Sequence, residues 1–243
     1  MWSGPRNLST ALMRSWGSRA DTYVTDEPFY AHYLSQVDVD HPGREQVLAS
    51  QNNDWREVAS WLTGEIPLGR PIWYQKHMAQ HYLPGMEGDW FKHLRHAFLL
   101  RDPKAVVASF AKVVAQPSLH DTGFPQLLAL YQRAADLSGR PPAVVDSADI
   151  LRQPEATLRQ LCAALAVPFD HAMLRWAPGR RDTDGVWAPY WYATVEQSTG
   201  FQPYVERSIE LPPRLQAVYE DCLPYYRQLS EFQLRPANSD NAI

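Results

Sequence analysis

The chain has 243 residues, 45% of them hydrophobic and 21% charged, which suits one soluble domain with room for a sizeable core. A net charge of −4 excludes a general electrostatic case for nucleic acid or an anionic membrane, so any anion must be held by a local cluster. No apolar run approaches the roughly 20 residues that span a bilayer, and Arg6, Asn7 and Arg14 interrupt the first apolar stretch, unlike a signal peptide.

The chain opens "MWSGPRNLSTALMRSWGSR". The turn Ser3-Gly4-Pro5 carries Arg6, and then Ser9-Thr10 stand where a helix begins, with Leu8, Ala11, Leu12 and Trp16 at helical spacing. Backbone N–H groups and a helix N-terminus gathered at one point are what an anion-binding loop requires. Such a loop normally follows a buried strand of roughly 5–6 residues. Here Met1 and Trp2 supply only its end. Two expectations follow: a natural start upstream of Met1, or a sheet whose first strand is nearly absent, leaving unpaired backbone groups beside it.

Further along, "DTYVTDEP" reads as a short strand running into a loop at Pro28, with a helix beginning near Phe29. "DWREVASWLTGEI" is a helix capped by Asp54 or Asn53. "RPIWYQKH" is a strand, and "HAFLLRDP" is a strand of continuous apolar character, as a buried parallel strand should be. Pro103 opens the helix "PKAVVASFAKVVA", a position where proline is tolerated. "FPQLLALYQRAADLSG" is a helix ending at Gly139, "PPAVVDSADI" a strand, and "QPEATLRQLCAALAV" a helix with Glu155 in its first turn. Residues 176–206 are irregular and aromatic-rich. A helical hairpin or kinked helix runs from Pro213 to Phe232, broken at Pro224. Strands alternating with helices predict one α/β domain over 1–235, with a mostly parallel sheet flanked by helices and a disordered tail at 236–243. Cys162 and Cys222 both fall in helical patterns, which argues against a disulfide framework or a zinc site and for a cytoplasmic setting.

The first loop lacks the Gly-Lys of the nucleotide-triphosphatase pattern GxxxxGK[ST], and Arg6 is its only cation. That argues against a magnesium-dependent ATP hydrolase. A second element, "LLRDPKAVVASF", puts Arg101 at the carboxyl end of a buried strand, where ligands of open parallel sheets bind, and Ser109 on the helix that follows. A third, "VVDSADILRQPEATLRQLCAALAVPF", is a strand, an acidic linker and a helix. In this order, "GPRNLSTAL", "LLRDPKAVVASF" and the third element resemble the sulfotransferases that use 3′-phosphoadenylyl sulfate (PAPS), over residue 3 to about residue 170.

The resemblance implies a P-loop-type domain that transfers a sulfuryl group from PAPS to a hydroxyl or amine of a small-molecule acceptor, without a metal. It implies that Arg6, Asn7, Ser9 and Thr10 bind the 5′-phosphosulfate and that Arg101 and Ser109 bind the 3′-phosphate. Transfer of this kind is in-line, helped by positioning and by cations at the leaving oxygen. Arg6 is the first candidate for that cation, and Lys76, at the end of a predicted strand, the second. The acceptor must lose a proton, so a general base is expected. Glu27 in "TDEPFYAHY" is one candidate and His77 in "WYQKHM" the other, with His81 a third. The family's Lys-x-His spacing is here Lys-His, which departs from that register. Trp187, Tyr190, Trp191, Tyr192 and Phe201 form either an acceptor wall or a satellite core. Arg180 and Arg181 are either a second cation pair for the 3′-phosphate or solvated loop charges. Two other functions fit the same scaffold: a P-loop small-molecule kinase, or a non-catalytic nucleotide-binding protein derived from a sulfotransferase. The expected partner is a small molecule, with no nucleic acid or membrane; a homo-oligomer is compatible with the sequence.

Overall fold

In the computed structural model, residues 1–39, 41–114, 116–206 and 208–235 are described; the expected disordered tail, 236–243, lies outside them. Five apolar runs form the sheet strands β1 (Trp2–Ser3), β2 (Thr22–Asp26), β3 (Ile72–Met78), β4 (Ala97–Leu100) and β5 (Ala143–Asp146). They pair in the order β2-β3-β1-β4-β5, each neighbouring pair parallel. The runs AFLL and AVVD of β4 and β5 are buried at every position, as strands covered on both faces must be. The helices are α1 (Ser9–Gly17), α2 (Tyr30–Gln36), α3 (Arg44–Ser50), α4 (Trp55–Leu62), α5 (Pro103–Phe110), α6 (Phe124–Ser138), α7 (Ser147–Arg152), α8 (Pro154–Ala164), α9 (Ala188–Trp191), α10 (Ala193–Glu196) and α11 (Pro213–Ser230). No helix among the described residues is long and apolar enough to cross a membrane.

The two-residue period of the strands sorts the core into two layers. Leu99 and Val145 join Leu12, Trp16, Leu158 and Leu161 from α1 and α8. Phe98, Leu100 and Val144 join Trp2, Leu62, Leu127 and Leu130 from β1, α4 and α6. Cys162 and Cys222 are buried free thiols.

The central strand β1 is two residues long, beside a β3 of seven. Its hold on the sheet comes largely from outside the ladder. Trp2 is fully buried, stacks on His77 at 4.3 Å, and its Nε1 donates to His96 Nδ1 at 3.0 Å. The Met1 amine donates to the Gln75 carbonyl at 2.8 Å. Where β3 runs on past β1, Tyr74 and Gln75 face Arg95, His96 and Ala97 across a cavity of about 510 Å³.

The sequence reading needs correcting at three places. Pro224 does not break the last helix: α11 is continuous through it. Pro224 and Glu220, whose carbonyl loses its in-helix donor, are both exposed, so water can replace the lost bond. The helix after Pro103 stops at Phe110, short of the expected Ala115. The strand read from "PPAVVDSADI" ends at Asp146, whose carboxylate accepts from Ala148 N and starts α7.

A buried ion pair helps tie residues 176–206 to α1. Arg14 of α1 and Asp184, both essentially without solvent access, meet through two parallel hydrogen bonds. Removing one partner of such a pair strands the other charge. Asp184→Ala is therefore expected to lower the unfolding free energy by about 3–5 kcal/mol in urea titrations. Glu155→Ala, at the exposed Glu155–Arg159 pair, should cost less than about 1 kcal/mol. Equal losses would show that the Arg14–Asp184 pair does not anchor this segment.

Candidate functional site

The carboxyl ends of β1, β2, β3 and β4 open into one cleft of about 1200 Å³. At one end lies the first loop. Gly4 is required there by space: a Cβ would lie 2.5 Å from the Thr122 carbonyl oxygen. Arg6 adopts a left-handed φ of 58°, which turns the chain toward α1. The N-cap residue of α1, Leu8, offers no capping side chain, so no cap occupies the amides of its first turn. Asn7 Nδ2 donates to the Leu99 carbonyl at 3.1 Å and fastens the loop to β4. Arg6 Nε donates to Ser109 Oγ at 3.1 Å, and Arg101 Nη1 donates to the Arg6 carbonyl. Three residues from a loop, a strand end and a helix thus converge. Asp102 caps α5 by accepting from Lys104 N and Ala105 N.

At the other end Lys76 is buried with 1% of its side chain exposed. An ammonium has three N–H donors, and all three are taken. Asp26 Oδ1 accepts at 2.8 Å, Tyr192 OH at 2.9 Å, and Glu27 Oε1 closer still. Tyr192 in turn donates to Asp26 Oδ2 at 2.7 Å and accepts from Trp187 Nε1 at 3.1 Å. Gly185 N also donates to Asp26 Oδ2, at 3.2 Å. Both oxygens of Asp26 thereby have donors, whereas Glu27 keeps Oε2, with His81 Nδ1 3.9 Å away. Glu27 sits just past β2 at a φ of 42°, a costly conformation for a non-glycine residue. It is held there by Glu27 N donating to the Lys76 carbonyl at 2.9 Å and by Gln51 Nε2 donating to the Glu27 carbonyl at 3.1 Å.

The electrostatics follow from burial. Burial pushes the Glu27 carboxyl up to about 6, with Lys76 opposing and Asp26 adding to the rise. Burial works against the Lys76 ammonium, but Asp26, Glu27 and Tyr192 together outweigh it and hold its pKa well above the ordinary range. Burial drives both His77 and His81 well below the ordinary imidazole value.

Arg6, Asn7, Ser9, Thr10, Arg101, Ser109, Glu27, Lys76 and His81 all line the cleft. His77 does not. Adjacent strand residues point to opposite faces, so Lys76 faces the cleft and His77 faces Trp2 and Phe29. Of the candidate bases, Glu27 and His81 line the cleft and His77 lies outside its lining. All three donors of Lys76 are taken by Asp26, Glu27 and Tyr192 in this arrangement. Arg181 folds back on its own loop, through Ala177 O and Asp184, and neither it nor Arg180 lines the cleft. Trp187, Trp191, Tyr192 and Phe201 line it, while Tyr190 turns outward against Gln46. Tyr192 carries the expectation of an aromatic wall but not of a partner to Lys76 and Asp26, and Asp26 itself is signalled only by the acid doublet "DE" at a strand end. No group of three or more His, Cys, Asp or Glu among the described residues is placed to hold a metal ion.

The comparisons with known proteins agree with this architecture. Residues 1–230 match the family model described as a sulfotransferase domain. A sulfotransferase from Alicyclobacillus acidocaldarius superposes with a TM-score of 0.56 at 15% identity, covering 96% of both chains. The sulfotransferase domain from the curacin biosynthetic pathway gives 0.55 at 18% identity, covering 94% of this chain and 95% of the other. At such identities these two show the fold alone. Two Arabidopsis thaliana proteins named branched-chain-amino-acid aminotransferase-like proteins 1 and 2 are 38% and 36% identical over 94% of this chain. The chain spans 40% of the length of these relatives. With a match that runs from the loop before α1 to the end of α11, the chain belongs to the sulfotransferase-domain family.

Proposed function

We propose that this chain transfers a sulfuryl group from PAPS to a small-molecule acceptor, with Glu27 as the general base. One observation carries the reading. A single cleft joins a cationic, amide-rich end to a buried carboxylate held at an unusually high pKa. The donor set at the first end suits a doubly phosphorylated nucleotide. The uncapped amides of α1, with Ser9 and Thr10, form an anion cradle. Arg6, Arg101 and Ser109 form a second, separate cluster of donors. In this reading the first cradle holds the 5′-phosphosulfate and the second the 3′-phosphate, with the Arg6 backbone in one and its guanidinium in the other. PAPS, when bound, supplies the sulfuryl group: its bridging sulfur–oxygen bond breaks as the acceptor oxygen bonds sulfur, and the bisphosphate leaves with the electron pair.

The chain's own residues do the rest. Glu27 takes the acceptor proton. Its raised pKa makes it a better base than an ordinary carboxylate while leaving it mostly ionised at neutral pH. Lys76 keeps that pKa from rising further and, with Asp26, fixes the carboxylate in place. The buried thiols of Cys162 and Cys222 accord with a reducing, cytoplasmic setting.

Two outcomes test this. Glu27→Gln should lower the transfer rate by about 10²–10⁴-fold in a product assay by mass spectrometry, while adenosine 3′,5′-bisphosphate still binds; retention of full activity would remove Glu27 as base. Arg101→Ala should weaken adenosine 3′,5′-bisphosphate by about 10–100-fold, the size of a charged hydrogen bond, and adenosine 5′-phosphate by clearly less, since only the loop's bond to Arg101 is lost there. Equal weakening of both ligands in calorimetry would displace Arg101 from the 3′-phosphate, and magnesium-dependent ATP binding would replace the reading with that of a kinase.

A further inference from the structure

His81 is a buried polar residue that the mechanism above leaves without a task. It is 4% exposed, lies in the helical turn Ala79–His81 after β3, and lines the cleft. Its ring is held between Tyr30 and Tyr33, with centroids 4.4 and 4.8 Å away and both stacked. The imidazole plane is therefore fixed, and Nδ1 lies on the side of the ring toward Glu27. Yet Nδ1 is buried without a hydrogen-bond partner, a state that costs about 1–3 kcal/mol unless something fills it. The nearest charged atom is Glu27 Oε2 at 3.9 Å, beyond hydrogen-bonding range. An oxygen placed about 2.8 Å from each would bridge that gap.

We propose that the acceptor is an uncharged alcohol or phenol on an apolar body, its hydroxyl oxygen seated between Glu27 Oε2 and His81 Nδ1. This rests on the sulfuryl-transfer reading and deepens it. A nitrogen facing a carboxylate favours the tautomer that carries the proton on Nδ1. His81 then donates to the acceptor oxygen, and the hydroxyl donates to Glu27. A hydroxyl can accept and donate at once; an alkylammonium can only donate, and would set an N–H against the Nδ1–H. Burial keeps His81 neutral, so it holds the oxygen without competing for its proton. An anionic acceptor would bring a further negative charge to Asp26 and Glu27, which already outnumber Lys76 two to one. Beyond the pair, the cleft presents half-buried Tyr33, Val39, Trp191, Val195 and Phe201. The apolar members of this lining reward an apolar body on the acceptor, while Thr194, Gln197, Ser198 and Gln202 add polar groups to the same cleft.

The test uses the whole chain, radiolabelled PAPS and five acceptors: octanol, naphthol, glucose, hexylamine and hydroxyhexanoate. Label is expected on octanol or naphthol at rates at least about 10-fold above the other three, which is the discrimination expected of one apolar group in a fitted pocket. His81→Phe, which keeps the ring between Tyr30 and Tyr33, should lower kcat/KM for the best acceptor by about 100-fold, as for loss of a donor at the reacting oxygen. His81→Asn, whose amide restores a donor, should recover most of that loss. Bisphosphate affinity should be unchanged in both variants, which also reports that they fold. Preferred labelling of glucose, hexylamine or hydroxyhexanoate, or full activity in His81→Phe, overturns the acceptor assignment and leaves sulfuryl transfer standing. Label on none of the five also overturns it, and failure to bind the bisphosphate in that case brings down the nucleotide reading as well.

Discussion

A buried lysine with every donor taken is the constraint on which the site depends. Among the described residues, Lys76 is the lysine or arginine set against two buried carboxylates and a tyrosine, and a charge so enclosed persists only if it is fully paired. Meeting that condition draws together the end of β2, the end of β3 and the segment after Arg181. The cluster holds two potential negative charges against one positive. Asp26 also accepts from Tyr192 and Gly185, so both its oxygens are engaged. Glu27 has one oxygen on Lys76 and the other facing the cleft. The division of labour between two adjacent acids is thus set by which of them the surrounding donors engage at both oxygens.

The anion end is built differently, from backbone and from residues that hold one another in place. Arg101 fixes the loop by its bond to the Arg6 carbonyl, and Arg6 reaches across to Ser109. Gly4 lets the loop press against Thr122, so the segment before α6 packs directly on it. These contacts preorganise cationic groups that would otherwise repel one another, and preorganisation is the main contribution a protein can make to a transfer with little covalent chemistry of its own.

Much of this was legible in the sequence where the signal is local. The continuous apolar run of β4, the proline opening α5 and the loop before α1 each carry their own physical mark, and the structure places them as those marks imply. Strand parity was equally legible: Lys76 and His77 are neighbours in one strand and so cannot share a cleft, a constraint that the chemistry of the two side chains obscured. What was not legible is long-range. Tyr192 meets Asp26 across 166 positions and Asp184 meets Arg14 across 170, and no periodicity links such residues. Pro224 misled for a related reason: whether a proline breaks a helix depends on which face it occupies, and that face is set by packing against α5 and α6. That β1 is short is visible in the sequence, but the anchoring of Trp2 between His77 and His96 belongs to the tertiary structure.

The central claim is that burial, tempered by Lys76, gives Glu27 the basicity the reaction needs. It is tested most directly by following the Glu27 side-chain carboxyl by carbon NMR through a pH titration of the wild-type chain and of Lys76→Met. The account predicts a midpoint of about 6 in the wild type and a higher one in the variant, because the ammonium that favours the carboxylate is gone. A wild-type midpoint at or below the ordinary value of 4.5, or no upward move without Lys76, would contradict it.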